Sequence, residues 1–143
     1  MINSVNNEKI KKYSKLLQKK YRDETNFYLV STDHLVKEAI KNKKVIDIFV
    51  LDGTKENYIN STIITDQVMR KLTTLKTLPN VVAVVKKNEE KNINGNVILL
   101  DGVQDPGNVG TIIRSAVAFN IDSIVLGSGT VDIYKEKVLR ASE

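Results

Sequence analysis

The stretch that most restricts the fold of this chain runs from Val97 to Phe119. Val97-Ile98-Leu99-Leu100 is a short apolar run with β-branched members, as in a buried strand. Asp101-Gly102 and Asp105-Pro106-Gly107-Asn108 then turn the backbone. From Val109 the apolar spacing changes to three and four. It predicts a helix with Ile112, Ile113, Ala116, Val117 and Phe119 facing inward and Asn108 as N-cap. Strand, glycine-bearing loop and helix in that order form an α/β unit. Free helix N–H groups would then face the loop mouth, a place suited to an anion.

Arg114 stands among apolar residues, one turn after Gly110, and long helical side chains lean toward the helix N-terminus. Two readings follow. The guanidinium reaches the loop mouth beside Asn108 and meets phosphate or ribose oxygens, or it sits at the core edge paired with Asp101 or Asp105. Two phosphate loops are excluded by letter. Of a G-x-G-x-x-G fingerprint only Gly107-x-x-Gly110 is present, and Gly110 is followed by Thr-Ile, with no P-loop lysine.

Asn108-Val-Gly110-x-x-x-Arg114, preceded by Asp105-Pro106 and followed by Ser115-Ala-Val-Ala-Phe, resembles the first motif of the SpoU/TrmH family of SPOUT methyltransferases. The resemblance continues through Ile124-Val-Leu-Gly127 and Lys137-Val-Leu-Arg140-Ala-Ser142. Lys19-Lys20-Tyr21-Arg22-Asp23, Phe27-Tyr-Leu-Val30, His34-Leu-Val and Val81-Val-Ala-Val-Val85 are similar to that family's N-terminal substrate-binding domain, so nearly the whole chain is covered.

The resemblance implies a fold, an activity and site residues. The fold is a ribosomal-protein-like α/β/α substrate-binding domain followed by the first β-α-β-α half of a Rossmann-like SPOUT domain, knotted when complete. The activity is methyl transfer from S-adenosylmethionine to a ribose 2′-hydroxyl of RNA, with ribosomal RNA the expected substrate. Asn108 and Arg114 are the implied catalytic residues. Guanidinium stays protonated, so Arg114 is expected to anchor and polarise, helping a phosphate oxygen accept the proton, while Asn108 shapes the loop and holds Arg114.

The family's cofactor pocket is built from later motifs, and its Arg-Ala-Ser is followed by Met-Gly where Glu143 closes this sequence. The expectation is a chain truncated before the knot, which binds no S-adenosylmethionine and is inactive alone. A homodimer is expected of the intact protein. Ser31-Thr32 replaces the Glu-Gly pair the family carries before its next helix, which weakens any direct transfer of RNA contacts there. His34, the single histidine, is read as structural or surface.

Charge bears on the partner. Residues 1–91 hold 18 basic and 11 acidic side chains, a net +7, whereas residues 92–143 hold 4 and 6, a net −2. The positive excess therefore lies wholly in the N-terminal part, as a polyanion-binding module requires, although lysine-rich surfaces are also common. Glu8 to Tyr21 reads as one amphipathic helix with Ile10, Tyr13, Leu16, Leu17 and Tyr21 on its apolar stripe. Lys19, Lys20, Tyr21 and Arg22 follow as a candidate RNA contact through phosphates and base stacking, or as an ordinary solvated helix end.

With no cysteine, disulfides and thiolate metal sites are excluded, and one histidine gives no basis for a metal centre. No apolar run reaches the length of a membrane span, and the polar opening Met1-Ile-Asn-Ser gives no signal-peptide pattern, so the expected compartment is the cytoplasm. Strands are predicted at 27–30, 46–51, 63–64 and 81–85, with helices at 33–42 and 66–72. Lys86 to Asn96 is nearly all polar. The expected domains are thus 1–88 for RNA substrate, 89–95 as linker and 96–143 as the N-terminal part of the methyltransferase domain. Strand 123–127 and helix 134–142 complete the second. Two other readings stand beside the methyltransferase: a non-catalytic RNA-binding protein, and a small nucleotide-binding α/β domain using Asn108-Val-Gly110.

Overall fold

A computed structural model describes residues Met1–Glu143, which divide into two compact units, Met1–Lys87 and Asn88–Glu143. The first unit contains α1 (Glu8–Ser14), a 3₁₀ turn (Lys15–Leu17), α2 (Lys19–Thr25), β1 (Phe27–Val30), α3 (Asp33–Lys41), β2 (Val45–Leu51), β3 (Ser61–Ile64), α4 (Asp66–Met69) and β4 (Val81–Lys86). Its sheet has the order β1-β4-β2-β3, with β4 antiparallel to both neighbours and β2 parallel to β3. Ile2 bridges to Ile64 on the outer edge of β3.

β4 dictates the layering. Val81-Val82-Ala83-Val84-Val85 are all buried, so the strand must be covered on both faces. Alternation sends Val82 and Val84 to the side of Leu29 and Phe49, where Ile10, Tyr13, Leu16, Val68, Met69 and Leu72 close the core. α3 packs on β4 and β2, with Val36 and Ala39 as its buried residues. The result is the α/β/α sandwich that the resemblance implied.

The N-terminal helix differs from its predicted form. In place of one helix to Tyr21, the chain tightens into the 3₁₀ turn, extends at Gln18 and restarts at Lys19. The cause is the buried Arg22, whose Nη1 donates to the Leu16 carbonyl (3.0 Å) that a broken helix leaves without an intrahelical partner. The break also lets Tyr21 pack on the same core as Tyr13. α2 then ends at Asn26, in left-handed conformation, one of the few residues that adopt it cheaply.

Two tyrosines tie helices and loop to this sandwich. The Tyr13 hydroxyl donates to Asp47 of β2, which also takes Lys9 Nζ at 2.5 Å, and the Tyr58 hydroxyl donates to Asp33, which also holds Lys37. Burial, then the neighbouring carboxylate, pushes both phenols well above their ordinary range. Lys37 and then Tyr58 hold the Asp33 carboxyl below the usual carboxylate range.

The second unit comprises β5 (Val97–Leu100), α5 (Pro106–Ala118), β6 (Ser123–Leu126) and α6 (Glu136–Ala141). β5 and β6 are parallel, in the register Ile98↔Ile124 and Leu100↔Leu126. Leu100, Val109 and Val138 form its core, with Ile98, Ile112, Ile113 and Ile124 packed around them. α5 begins three residues earlier than predicted. Asp105, not Asn108, is the N-cap, because Pro106 suits the first helical position and the Asp105 carboxylate reaches the Asn108 N–H (2.8 Å). Nor do Val117 and Phe119 face inward: they are 72% and 80% exposed, with only Ala116 of that turn buried.

Gly110 is where α5 and α6 touch. A Cβ there would lie 2.4 Å from Ala141 Cβ and 2.8 Å from the Val138 carbonyl oxygen, so the helices can approach this closely only at glycine.

Two outcomes are expected. Gly110→Ala gains up to about 1 kcal/mol of helix propensity but overpacks the contact, costing about 1–3 kcal/mol. Urea unfolding monitored in the second unit should show net loss of stability, and a stabilised variant would contradict the contact. For the tyrosines, folding favours the neutral phenol. Their stabilisation is thus complete below the unfolded pKa of about 10 and is lost as pH rises above it. Tyr13→Phe and Tyr58→Phe should each cost about 0.5–1.5 kcal/mol at pH 7 and flatten the fall in stability between pH 10 and 12, measured by denaturant titration across pH.

Candidate functional site

The two parallel strands of the second unit deliver two loops to their carboxyl ends, where α/β sheets place their ligands. The loop after β5 is Asp101–Asp105 and the loop after β6 is Gly127–Thr130. They are stitched together: Gly127 N–H and Thr130 Oγ1 both donate to the Leu100 carbonyl (2.8 Å each), and Val131 N–H donates to the Val103 carbonyl (2.9 Å). Gly102 and Gly129 have φ of +69° and +80°, and a Cβ on Gly129 would stand 3.8 Å from Gly102 Cα. The mouth is therefore lined by backbone.

The anion site predicted at this mouth is largely closed by the helix's own capping. Pro106 has no N–H, the Asn108 N–H goes to the Asp105 carboxylate, and the Val109 N–H goes to the Asp105 carbonyl (3.1 Å). Of the first turn, only the Gly107 N–H is left over. Asp101 and Asp105 are both exposed here, and two carboxylates repel phosphate. The mouth suits a hydroxyl or a cation better than an anion.

Arg114 shares a helix face with Gly110, as the spacing predicted, and that face is the one turned to α6. Arg114 is exposed, and its Nη1 makes a long contact, 3.5 Å, with the Glu143 carbonyl. It pairs with neither Asp101 nor Asp105. Asn108 is exposed on another side of α5, and no hydrogen bond joins its side chain to Arg114. The structure thus puts the two motif residues on one helix without bringing their side chains together. What the sequence reading missed is the role of Gly110 and Ala141 as the contact between α5 and α6. Two small residues on facing helices were the available signal.

S-adenosylmethionine does not fit the residues of this unit by themselves. The loops offer backbone and two carboxylates, but Asp101, Gly102, Gln104, Asp105, Ser128 and Gly129 are all exposed, so nothing encloses a ligand. A separate groove of about 290 Å³ runs along Ile98, Ile112, Ala116, Phe119 and Ile121. It is almost wholly apolar, with only Thr111 and Ser115 to meet a polar group. No cluster of His, Cys, Asp or Glu could hold a metal ion. No helix is long and apolar enough to cross a membrane.

In the first unit the four residues of the candidate RNA contact separate. Arg22 is buried at 5% exposure and serves the Leu16 carbonyl, so its guanidinium is not offered to a ligand. Lys19 pairs with Asp23 at 2.6 Å, and Lys87 reaches the same carboxylate at 3.0 Å. These two lysines hold the Asp23 carboxyl down at about 2. Lys20 remains exposed, 5.7 Å from the centroid of the half-buried Tyr21 ring, which Lys15 also approaches at 5.4 Å. The predicted base stacking on Tyr21 competes with these ammoniums. The β1–α3 corner, where Ser31-Thr32 replaces Glu-Gly, is closed: Ser31 is buried, Thr32 caps the Leu35 N–H (3.3 Å), and Asp33 is engaged by Tyr58 and Lys37.

Comparison with known proteins accounts for both units. Residues 7–83 match the MRM3-like substrate binding domain, and residues 95–143 match the SpoU rRNA Methylase family. The 23S rRNA (guanosine(2553)-2′-O)-methyltransferase RlmP of Bacillus subtilis is 38% identical over 99% of this chain, which spans 60% of that protein. A putative RNA methyltransferase of the TrmH family from Porphyromonas gingivalis superposes with a TM-score of 0.78 at 28% identity, covering 97% of this chain and 59% of that one. An AdoMet-bound rRNA methyltransferase from Sinorhizobium meliloti shares the fold, with a TM-score of 0.78, 24% identity, and coverage of 99% and 59%. With the substrate-binding domain matched over most of the first unit and the Asn108-x-Gly110-x-x-x-Arg114 helix inside the matched second segment, the chain belongs to the SpoU/TrmH family of RNA methyltransferases.

Proposed function

We propose that this chain serves S-adenosylmethionine-dependent 2′-O-methylation of ribosomal RNA. In that reading the first unit holds the RNA and the second contributes part of the methyl-transfer domain. The observation that carries it is α5. Gly110 fixes the helix against α6, and one turn later Arg114 emerges exposed, on a segment that matches the SpoU family. An exposed arginine held by a packed helix can donate two parallel hydrogen bonds to a phosphate, or one to a ribose oxygen. Being always protonated it does not act as the base; it anchors the nucleotide and polarises the hydroxyl, and a phosphate oxygen takes the proton. Asn108 shapes the approach to the same loop. The cofactor pocket lies in residues other than these.

The second reading, a non-catalytic RNA-binding protein, is supported by the positive excess of the first unit. We further propose homodimerisation through the second unit, supported by the exposed Val97, Leu99, Val117 and Phe119, and cytoplasmic residence, supported by the likeness to the bacterial rRNA methyltransferase.

The test is transfer of labelled methyl groups from S-adenosylmethionine to 23S rRNA by the protein that carries these residues. Arg114→Ala and Arg114→Lys should melt like wild type, since the residue is exposed and its one contact is long. Both should methylate at least about tenfold more slowly, because loss of a preorganised donor typically costs about 100- to 1000-fold, and an ammonium does not reproduce the planar fork. Near-full activity of Arg114→Ala would make the arginine structural. Undiminished RNA binding with no methyl transfer by wild type would favour the second reading.

A further inference from the structure

The geometry points to the α1–3₁₀–α2 face of the first unit as the RNA contact, with Lys12, Lys15 and Lys20 as its phosphate-binding residues. This inference rests on the RNA reading given above. It changes which residues carry that reading.

Lys9 to Arg22 contains seven basic residues and no acidic one. The structure sorts them. Lys9 is taken by Asp47, Lys11 by Glu8 at 3.3 Å and Lys19 by Asp23, while Arg22 is buried. A lysine already paired with a carboxylate adds little net field for a polyanion. Lys12, Lys15 and Lys20 are exposed and meet no carboxylate. Each lies over an aromatic ring: Lys12 at 5.7 Å from the Tyr13 centroid, Lys15 and Lys20 at 5.4 and 5.7 Å from that of Tyr21.

These rings are themselves fixed. Tyr13 is buried, stacks edge-on against Phe49 at 5.9 Å and donates to Asp47, and Tyr21 packs on the same core. The three ammoniums therefore lie against rings that the core holds in place, which lowers the cost of ordering them on a ligand. Lys12 and Lys15 are i,i+3 neighbours, and Lys15 and Lys20 share one ring. Because lysines cover the Tyr21 ring, the surface is built for backbone phosphates and not for stacking a base. It should bind without sequence preference, leaving selection of the nucleotide to other contacts.

The competing location is the β1–α3 corner. There the helix N-terminus is capped by Thr32, and Asp33 stands in its first turn. An anion approaching that corner meets a carboxylate.

The experiment uses the full chain and a 20-nucleotide oligouridylate, with affinity measured by fluorescence anisotropy from low to moderate salt. Log K should fall by about 0.7 per phosphate contact for each tenfold rise in salt. The Lys12→Gln/Lys15→Gln/Lys20→Gln variant should lose about two units of that slope and keep the wild-type melting temperature. A control, Lys43→Gln/Lys55→Gln/Lys76→Gln, removes the same charge from exposed lysines elsewhere in the first unit and should keep most of the slope. Equal losses in the two variants would overturn the face assignment while leaving RNA binding in place. No salt-dependent binding by wild type would overturn the RNA reading itself.

Discussion

Burial of β4 on both faces is the constraint from which the first unit follows. Five consecutive apolar residues, Val81 to Val85, cannot be shielded by one layer, so helices must lie on both sides of the sheet. On one side that requirement draws in Ile10, Tyr13 and Leu16, which fixes the outward direction of everything between them on α1 and the 3₁₀ turn. The lysines at 11, 12 and 15 point to solvent because the residues at 10, 13 and 16 point to Phe49, Val82 and Val84. Hydrophobic burial thus sets the placement of charge, and electrostatics acts only on what that placement leaves free.

The same logic separates what was legible in the sequence from what was not. Strands at 27–30, 46–51, 81–85 and 97–100 were legible because β-branched runs bounded by turns have few other solutions, and their observed limits differ by a residue at most. The helix over 33–42 was legible from its cap and its period. The N-cap of α5 was misplaced because Asn108 and Asp105 are both good caps. Pro106 decided between them, since its fixed φ and missing N–H suit the first helical position after Asp105. The break at Gln18 was invisible because the apolar stripe from Ile10 to Tyr21 keeps helical spacing across it. Only the buried guanidinium of Arg22, hydrogen-bonded to Leu16, shows why the helix restarts. A basic residue beside two exposed ones gives no local sign that it alone turns inward.

The loop of the second unit was legible as a motif, while the work of its glycines was not. Glycines near a helix N-terminus suggest an anion cradle, but here they do two unrelated things. Gly102 and Gly129 supply left-handed turns that let the two loops meet, and Gly110 lets α5 lie against Ala141 and Val138. The helix consumes most of its own N-terminal donors through Asp105. Arg114, one turn beyond Gly110, is the exposed cation of α5.

The two units also differ in what they leave uncovered. The first has a closed core and an exterior with a net positive charge. In the second, β5 and β6 bury Leu100 against α5, while Val97 and Leu99 on the opposite face of the pair are 42% and 63% exposed. A parallel pair is ordinarily covered on both faces, and Val117 and Phe119 extend the apolar surface beyond it. Lysines left without a carboxylate keep their hydration and their freedom, so any contact they make is weak and screened by salt. Exposed apolar strand and helix surface is stabilised only where water is excluded, so the two units differ in the kind of contact their surfaces favour.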